Sequence, residues 1–139
     1  GHQILANASL VSLSGTWTVN MTLSYRISGF PDNFTCTYTH MRFTITHSGG
    51  SISGTASIPR VDCNIPDAEP IVSAGGSSPF TGTASNGQVR MSFPDPEGDC
   101  PPFNLDGTYS QNAMNGTSAW TCTFEGETLT ATATWNGTR

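Results

Sequence analysis

Apolar and polar residues alternate along several stretches of this chain. In the clearest stretch the apolar positions, separated by threonine, asparagine or serine, are Trp17, Val19, Met21, Leu23 and Tyr25. A period of two is typical of a β-strand with one apolar and one polar face. The same alternation returns in residues 41–46, 88–93 and 129–135, and no stretch repeats at helical spacing. The pattern therefore predicts an all-β protein.

Turn sequences separate the alternating runs and set the number of strands. They lie at residues 29–32, 48–50, 85–87, 111–112 and 125–127. We expect about eight strands, near residues 10–26, 33–47, 50–58, 71–74 or 79–85, 87–93, 103–110, 113–124 and 127–138. The long connections are then 59–79 and 94–102. In the second strand the alternation slips by one residue between Tyr38 and Met41, which predicts a β-bulge.

A Gly-Thr pair recurs along the chain and bears on how the sheet closes. Its glycines are Gly15, Gly54, Gly82, Gly107, Gly116 and Gly137, at intervals too irregular for a solenoid. Glycines inside successive strands let a small sheet coil tightly, and closure of the sheet removes its exposed edges. We therefore expect one domain over residues 1–139: an antiparallel up-and-down β-barrel of about eight strands, calycin-like, with a leader segment at 1–9.

Charge and composition narrow the class of partner. Charged residues make up 11% of the chain, the formal net charge is −5, and all five basic residues are arginine. With no basic stripe to neutralise phosphates, nucleic acid is not an expected partner. A membrane-spanning barrel would also alternate, but threonine and serine on the polar face and the lack of aromatic girdles favour a protein that does not span a membrane.

The four cysteines indicate an oxidising compartment. They include no C-x-x-C pair, which argues against a zinc ribbon or a thioredoxin-type site and favours two disulfides. In a meander the start of one strand lies beside the end of the next, which predicts the pairs Cys36–Cys63 and Cys100–Cys122. We expect an extracellular, periplasmic or cell-surface protein. Five Asn-x-Ser/Thr sequons are either chance matches in a threonine-rich chain or glycan acceptors, and they begin at Asn7, Asn20, Asn33, Asn115 and Asn136.

The predicted interior is apolar and aromatic, which suits a small hydrophobic ligand better than catalysis. The residues expected to contact such a ligand are Met21, Tyr25, Met41, Phe43, Met91, Phe93, Tyr109 and Trp120. The ionisable groups at inward positions are the phenols of Tyr25 and Tyr109, so no catalytic residue and no cofactor is implied. The ligand would enter opposite Trp17. The alternative is a core filled by its own side chains, since eight strands enclose little space.

Three further hypotheses concern other parts of the chain. Asp95, Glu97 and Asp99 alternate in a way that could wrap a calcium ion, although the full calcium-loop pattern is missing and an ordinary solvated turn explains them equally. The segment 1–10 could extend to a neighbouring copy by strand addition, which would make the protein a structural subunit of an extracellular assembly or a surface interaction protein. A barrel cyclase that works by shaping an apolar substrate is the enzymatic alternative.

Gly15-Thr16-Trp17 in the first strand and Arg139 after the last resemble the pattern of the calycins, which include lipocalins and fatty-acid-binding proteins. The resemblance implies that Trp17 plugs the closed end of the barrel and that Arg139 covers its ring. From about Ser14 to Arg139 the chain is also similar to bacterial secreted or lipid-anchored barrels of unassigned function, through the opening Ser-Gly-Thr-Trp and the hairpin from His47 to Thr55. Avidins share the Gly-Thr-Trp opening, but their later biotin-site pattern is not recognisable here.

Overall fold

The computed structural model describes residues 11–30, 32–64, 71–73 and 76–139. Within them the secondary structure is entirely strand and turn. The strands are β1 (Gly15–Ile27), β2 (Phe34–Ser48), β3 (Ser51–Ile58), β4 (Val61–Asn64), β5 (Ile71–Ser73), β6 (Gly76–Ser85), β7 (Gln88–Phe93), β8 (Phe103–Tyr109), β9 (Ala113–Phe124) and β10 (Glu127–Thr138).

Eight of these strands close into an antiparallel barrel. The order around the barrel is β1-β10-β9-β8-β7-β6-β3-β2, and pairing of β2 with β1 completes the ring. Neighbours around most of the ring are consecutive in sequence, because short hairpins such as Asn86-Gly87 and Glu125-Gly126 connect them. All four of these turn residues have positive φ, which suits the tight turns of twisted hairpins. The predicted eight-stranded up-and-down barrel is confirmed.

The connection predicted over residues 59–79 is wrong in part. β4 pairs with the first half of β2, while β3 pairs with its second half, so the two strands continue one another along the same neighbour. Pro59 lies in the break between them and has no amide hydrogen to donate to a ladder. β5 pairs with β4, and β6 begins at Gly76. The two alternatives for the fourth strand, 71–74 and 79–85, thus correspond to different strands: residues 71–73 form β5, and residues 79–85 belong to β6.

The predicted bulge in β2 is confirmed at His40. Val19 of β1 pairs with Met41 and Met21 pairs with Tyr38, so the register shifts between these pairs. His40 has φ of 55°, and its amide donates a hydrogen bond of 2.9 Å to Oδ1 of Asn20. The bulge places both Tyr38 and Met41 on the inner face, although they are three residues apart.

Two of the Gly-Thr glycines are required by close approach of strands. Gly107 of β8 and Gly116 of β9 pair with each other. A Cβ atom on Gly116 would lie 1.8 Å from the carbonyl oxygen of Asp106, and one on Gly107 would lie 2.8 Å from the Trp135 ring. Neither contact is possible, so glycine allows the barrel wall to coil against the core at this point.

The barrel has two different ends. The Trp17 end carries the start of β1 and the turns at 49–50, 86–87 and 111–112. The opposite end, called the cavity end below, carries the end of β1, residues 28–30, the connection 94–102, and the turn at 125–126. β1 begins at Gly15 rather than near residue 10, because residues 11–14 cross the Trp17 end instead of extending the sheet.

The two disulfides, Cys36–Cys63 and Cys100–Cys122, are formed as predicted. The first joins paired residues of β2 and β4, and the second ties the 94–102 connection to β9. Both lie toward the cavity end, where the connections are longest. Each therefore fixes a region in which the connections between strands are long.

Candidate functional site

A cavity of about 170 Å³ lies inside the barrel, toward the cavity end. β1, β2, β3, β6, β7 and β8 each contribute to its wall, because inward positions of these strands face the barrel axis. The lining residues are almost all apolar: Met21, Leu23, Tyr38, Met41, Phe43, Ala56, Ile58, Ser78, Phe93, Phe103 and Leu105. The interior of this barrel is thus only partly filled by its own side chains.

Three phenyl rings pack against one another beside the cavity. Phe43, Phe80 and Phe93 lie with ring centroids 5.2–5.8 Å apart, at the tilted or edge-on angles that aromatic pairs favour. Phe43 and Phe80 are buried, whereas Phe93 is only partly so. Because the rings brace one another, we expect the wall on this side to keep its shape when the cavity is occupied.

Tyr38 is the one titratable residue among the lining residues. Burial raises the pKa of its phenol, and the neighbouring Tyr25 phenol acts in the same direction. Tyr38 therefore remains protonated at neutral pH and presents an O–H group at an apolar wall. Such a group can donate one hydrogen bond to a ligand oxygen or nitrogen.

Half of the residues predicted to contact a ligand line this cavity. Met21 and Met41 contribute flexible thioethers, and Phe43 and Phe93 contribute ring faces. All four alternate inward on β1, β2 or β7, and the period-two pattern was sufficient to place them.

The other four lie elsewhere. Met91 is fully buried and outside the lining, within the packed core. Tyr109 ends β8 and therefore lies at the Trp17 end, far from the expected entrance. Tyr25 lies toward the cavity end with its ring 5.1 Å from that of Phe34. Trp120 packs against Phe103 under the 94–102 connection and donates from Nε1 to the Pro101 carbonyl at 2.8 Å.

Several lining residues were not predicted as inward: Tyr38, Ala56, Ile58 and Ser78. The bulge in β2 was predicted, but Tyr38, which precedes it and differs in phase from Met41 and Phe43, was not included among the expected ligand contacts. In β3, small residues obscure the alternation, since Ile52, Gly54, Ala56 and Ile58 share one face. Ile52 and Ile58 are in phase with each other, and this spacing is the sequence signal that indicates the inner face of β3.

The Trp17 end is closed by packing and hydrogen bonds. Trp17 is fully buried, its Nε1 donates to the Leu13 carbonyl at 2.9 Å, and the Arg139 guanidinium lies 4.6 Å from its ring centroid. Arg139 also donates to the carbonyl oxygens of Gln111, Ser14 and Ser12. This arrangement leaves no entry for a ligand past Trp17.

His47 also takes part in this closure. Its Nδ1 accepts a hydrogen bond from the Leu13 amide at 3.0 Å, and its Nε2 lies 3.0 Å from the carbonyl oxygen of Ala84. These contacts require the tautomer with hydrogen on Nε2. His47 therefore pins residues 11–14 across the end of the barrel.

The calcium hypothesis for residues 95–99 is not supported. The carboxylate of Asp95 accepts hydrogen bonds from the backbone amides of Glu97, Asp99 and Cys100 at 3.0–3.3 Å. The lone pairs of this carboxylate are thus used in hydrogen bonds within the 94–102 connection. Across the described ranges, no group of three or more histidine, cysteine, aspartate or glutamate residues could hold a metal ion.

The remaining sequence hypotheses concern glycan acceptors and the leader. Asn33, Asn115 and Asn136 are exposed, and Asn20 is engaged at the bulge through its Oδ1 atom. Asn7 and the leader at 1–9 lie outside the described residues, as does the segment 1–10 suggested for strand addition.

In the part of the chain that the structure describes, no helix is long and apolar enough to span a membrane. A scan against protein-family models matches no family, and searches of curated proteins and of solved structures give no significant match.

Proposed function

We propose that this barrel is an extracellular binding module for a small, uncharged and mainly apolar molecule. The observation that carries the proposal is the cavity between β1, β2, β3, β6, β7 and β8, whose lining is apolar except for two hydroxyl groups. Ligand pockets in proteins commonly combine an apolar wall with a few polar groups that fix orientation.

The volume of the cavity sets the size of the ligand. A dry apolar cavity of roughly 150 Å³ is enough to bind benzene, whereas drug-sized ligands occupy pockets of about 300–1,000 Å³. At about 170 Å³, this cavity fits one aromatic ring or a short branched chain. A long acyl chain or a pigment would require the walls to move.

The polar groups of the lining set the chemistry of the ligand. The Tyr38 phenol, which burial keeps neutral, can donate to an oxygen or nitrogen atom, and Ser78 adds a second hydroxyl. A charged ligand would lose its hydration without a compensating charge, since no lining residue is ionised at neutral pH. We therefore infer a ring or short chain that carries one neutral hydrogen-bond acceptor.

The entrance lies at the cavity end. Leu23, Tyr38, Phe93 and Phe103 are only partly buried and stand between the cavity and solvent. At the other end, the fully buried Trp17 and the cover of Arg139 block access.

The setting we propose is the cell surface, the periplasm or the extracellular space. Two disulfides are compatible with an oxidising compartment. The closed eight-stranded barrel, with Trp17 near the start of β1 under the guanidinium of Arg139, supports our proposal of a calycin-like relationship.

Isothermal titration of the intact protein with acetophenone tests this proposal. Acetophenone has one ring and a carbonyl acceptor, and we expect a Kd of roughly 10–1,000 µM, typical of a ligand with few atoms. Benzoate, its charged counterpart, should bind at least about tenfold more weakly. Tyr38→Phe should weaken acetophenone binding and leave toluene binding unchanged.

Matched variants locate the binding. Ala56→Leu places additional carbon atoms in the cavity and should abolish binding, while Ala119→Leu makes the same change on the exposed face of β9 and should have no effect. If the unmodified protein binds neither acetophenone, toluene nor an environment-sensitive apolar dye, the binding function is wrong and an assembly role becomes the leading one.

A further inference from the structure

A second concavity lies on the outside of the cavity end, between the 94–102 connection and the ends of β1, β9 and β10. Its volume is about 280 Å³, and it shares no lining residue with the internal cavity. Its apolar lining consists of Ile27, Phe124, Leu129 and the Cys100–Cys122 disulfide. We call it the acidic groove, because Asp95, Glu97, Asp99 and Glu127 also line it.

Negative charge is concentrated around this groove. Five of the eight described carboxylate side chains belong to the 94–102 connection and the β9–β10 hairpin, where Glu125 lies next to the lining residues. In the described ranges the salt bridges join Arg60 to Asp62 and Arg90 to Asp106, both away from the groove. The carboxylates of the groove are therefore not neutralised by the arginines of those two pairs.

Exposed aromatic side chains lie at the same end of the molecule. Phe30 and Phe124 are the large apolar side chains that remain exposed in the described part of the chain, at 54% and 49% of their surface. Phe124 lines the groove, and Phe30 lies in the turn after β1, whose Ser28 exchanges hydrogen bonds with Thr128 at the start of β10. Exposed apolar residues rimmed by charge are typical of interaction surfaces.

We propose that the acidic groove docks a basic, amphipathic peptide segment of a protein partner. An apolar partner side chain would pack on Phe124, Ile27 and Leu129, while arginine or lysine on either side would meet Glu97, Asp99 and Glu127. Charge complementarity selects this occupant, since an acidic or neutral segment would lack attraction to a rim of carboxylates. The disulfide holds the two walls of the groove together, so the site exists before the partner arrives.

Fluorescence anisotropy with a labelled peptide of alternating arginine and leucine tests this inference on the full chain. We expect saturable binding that weakens steeply as salt is added, because rim charges are screened. Glu97→Gln combined with Glu127→Gln should weaken binding about tenfold. Asp62→Asn combined with Asp106→Asn removes the same charge elsewhere and should change binding by less than about twofold.

Two further measurements separate this site from general attraction between opposite charges. Phe124→Ser, at an exposed position, should weaken binding of the arginine–leucine peptide about fivefold. An oligolysine peptide without apolar residues should bind the unmodified protein much more weakly than the arginine–leucine peptide does. The inference is overturned if oligolysine binds equally well, if the Asp62/Asp106 variant loses as much affinity as the Glu97/Glu127 variant, or if no peptide binds at low salt.

Discussion

The interior of the barrel is filled differently at its two ends. At the Trp17 end, tight turns connect the strands, and the interior is filled by Trp17, Leu13 and their neighbours under the cover of Arg139. At the cavity end, the connections are long, two disulfides tie them down, and an internal space of about 170 Å³ remains. One end is thus closely packed, and the other leaves the internal space in which we propose that a ligand binds.

The difference follows from how much a small barrel can enclose. Eight strands leave room for their own side chains or for one small ligand. Here bulky residues fill the half around Trp17, and the rings of Phe43, Phe80 and Phe93 pack together beside the space that remains. Toward the cavity end, two disulfides add covalent links between segments of the chain. Variants that change one end of the barrel at a time can test this difference.

Trp17→Ala should have the largest effect on stability, about 3–5 kcal/mol, because it empties a fully buried site and removes the donor to the Leu13 carbonyl. Phe124→Ala, at the exposed groove, should change stability by no more than about 0.5 kcal/mol. Urea unfolding of both variants measures the difference. Equal losses would contradict the division into a packed end and an open end.

Removal of the second disulfide by Cys100→Ser with Cys122→Ser should lower the free energy of unfolding by about 3 kcal/mol, since it releases a loop of 22 residues in the unfolded chain. The 94–102 connection should then exchange its amide hydrogens faster, whereas those at the Trp17 end should keep their relative protection. Hydrogen exchange by mass spectrometry compares them. Uniform loss of protection would show that the two ends do not behave separately.

A matched pair of alanine variants compares the interiors directly. Ala84→Leu adds volume to a tightly packed site near His47 and should cost about 1–3 kcal/mol through overpacking. Ala56→Leu adds the same atoms beside the cavity and should cost less than about 0.5 kcal/mol, because they occupy free space. Thermal or urea unfolding measures both. A larger loss for Ala56→Leu would mean that the cavity is not free.

Substitution of Tyr38 should have the smallest effect on stability, and this effect depends on pH. Burial raises the pKa of its phenol above the ordinary value of 10.0, so the folded state holds this proton more tightly than the unfolded state. The resulting stabilisation is complete below about pH 10 and is lost as pH rises through the folded-state pKa. Tyr38→Phe should lose less stability than the unmodified protein in this alkaline range. Identical pH profiles would contradict the burial of the phenol.

Sequence patterns predicted the barrel, the disulfides and the bulge, because each depends on local alternation or on the geometry of a meander. Four of the eight predicted ligand contacts also line the cavity, since residues such as Met21 and Met41 alternate in phase with clear neighbours. Met91 alternates in the same way, yet neighbouring side chains enclose it completely. Alternation shows that a side chain points inward, but whether it meets a cavity or a packed core depends on side chains from strands distant in sequence, which no local pattern records.

The four methionines provide the most direct test of the central contrast. Met21 and Met41 line the cavity, whereas Met91 and Met114 are buried in the core. We expect acetophenone to shift the methyl resonances of Met21 and Met41 in NMR spectra of protein labelled at methionine methyl groups, and to leave those of Met91 and Met114 in place. Shifts of all four resonances, or of Met91 and Met114 alone, would contradict a binding cavity confined to this end of the barrel.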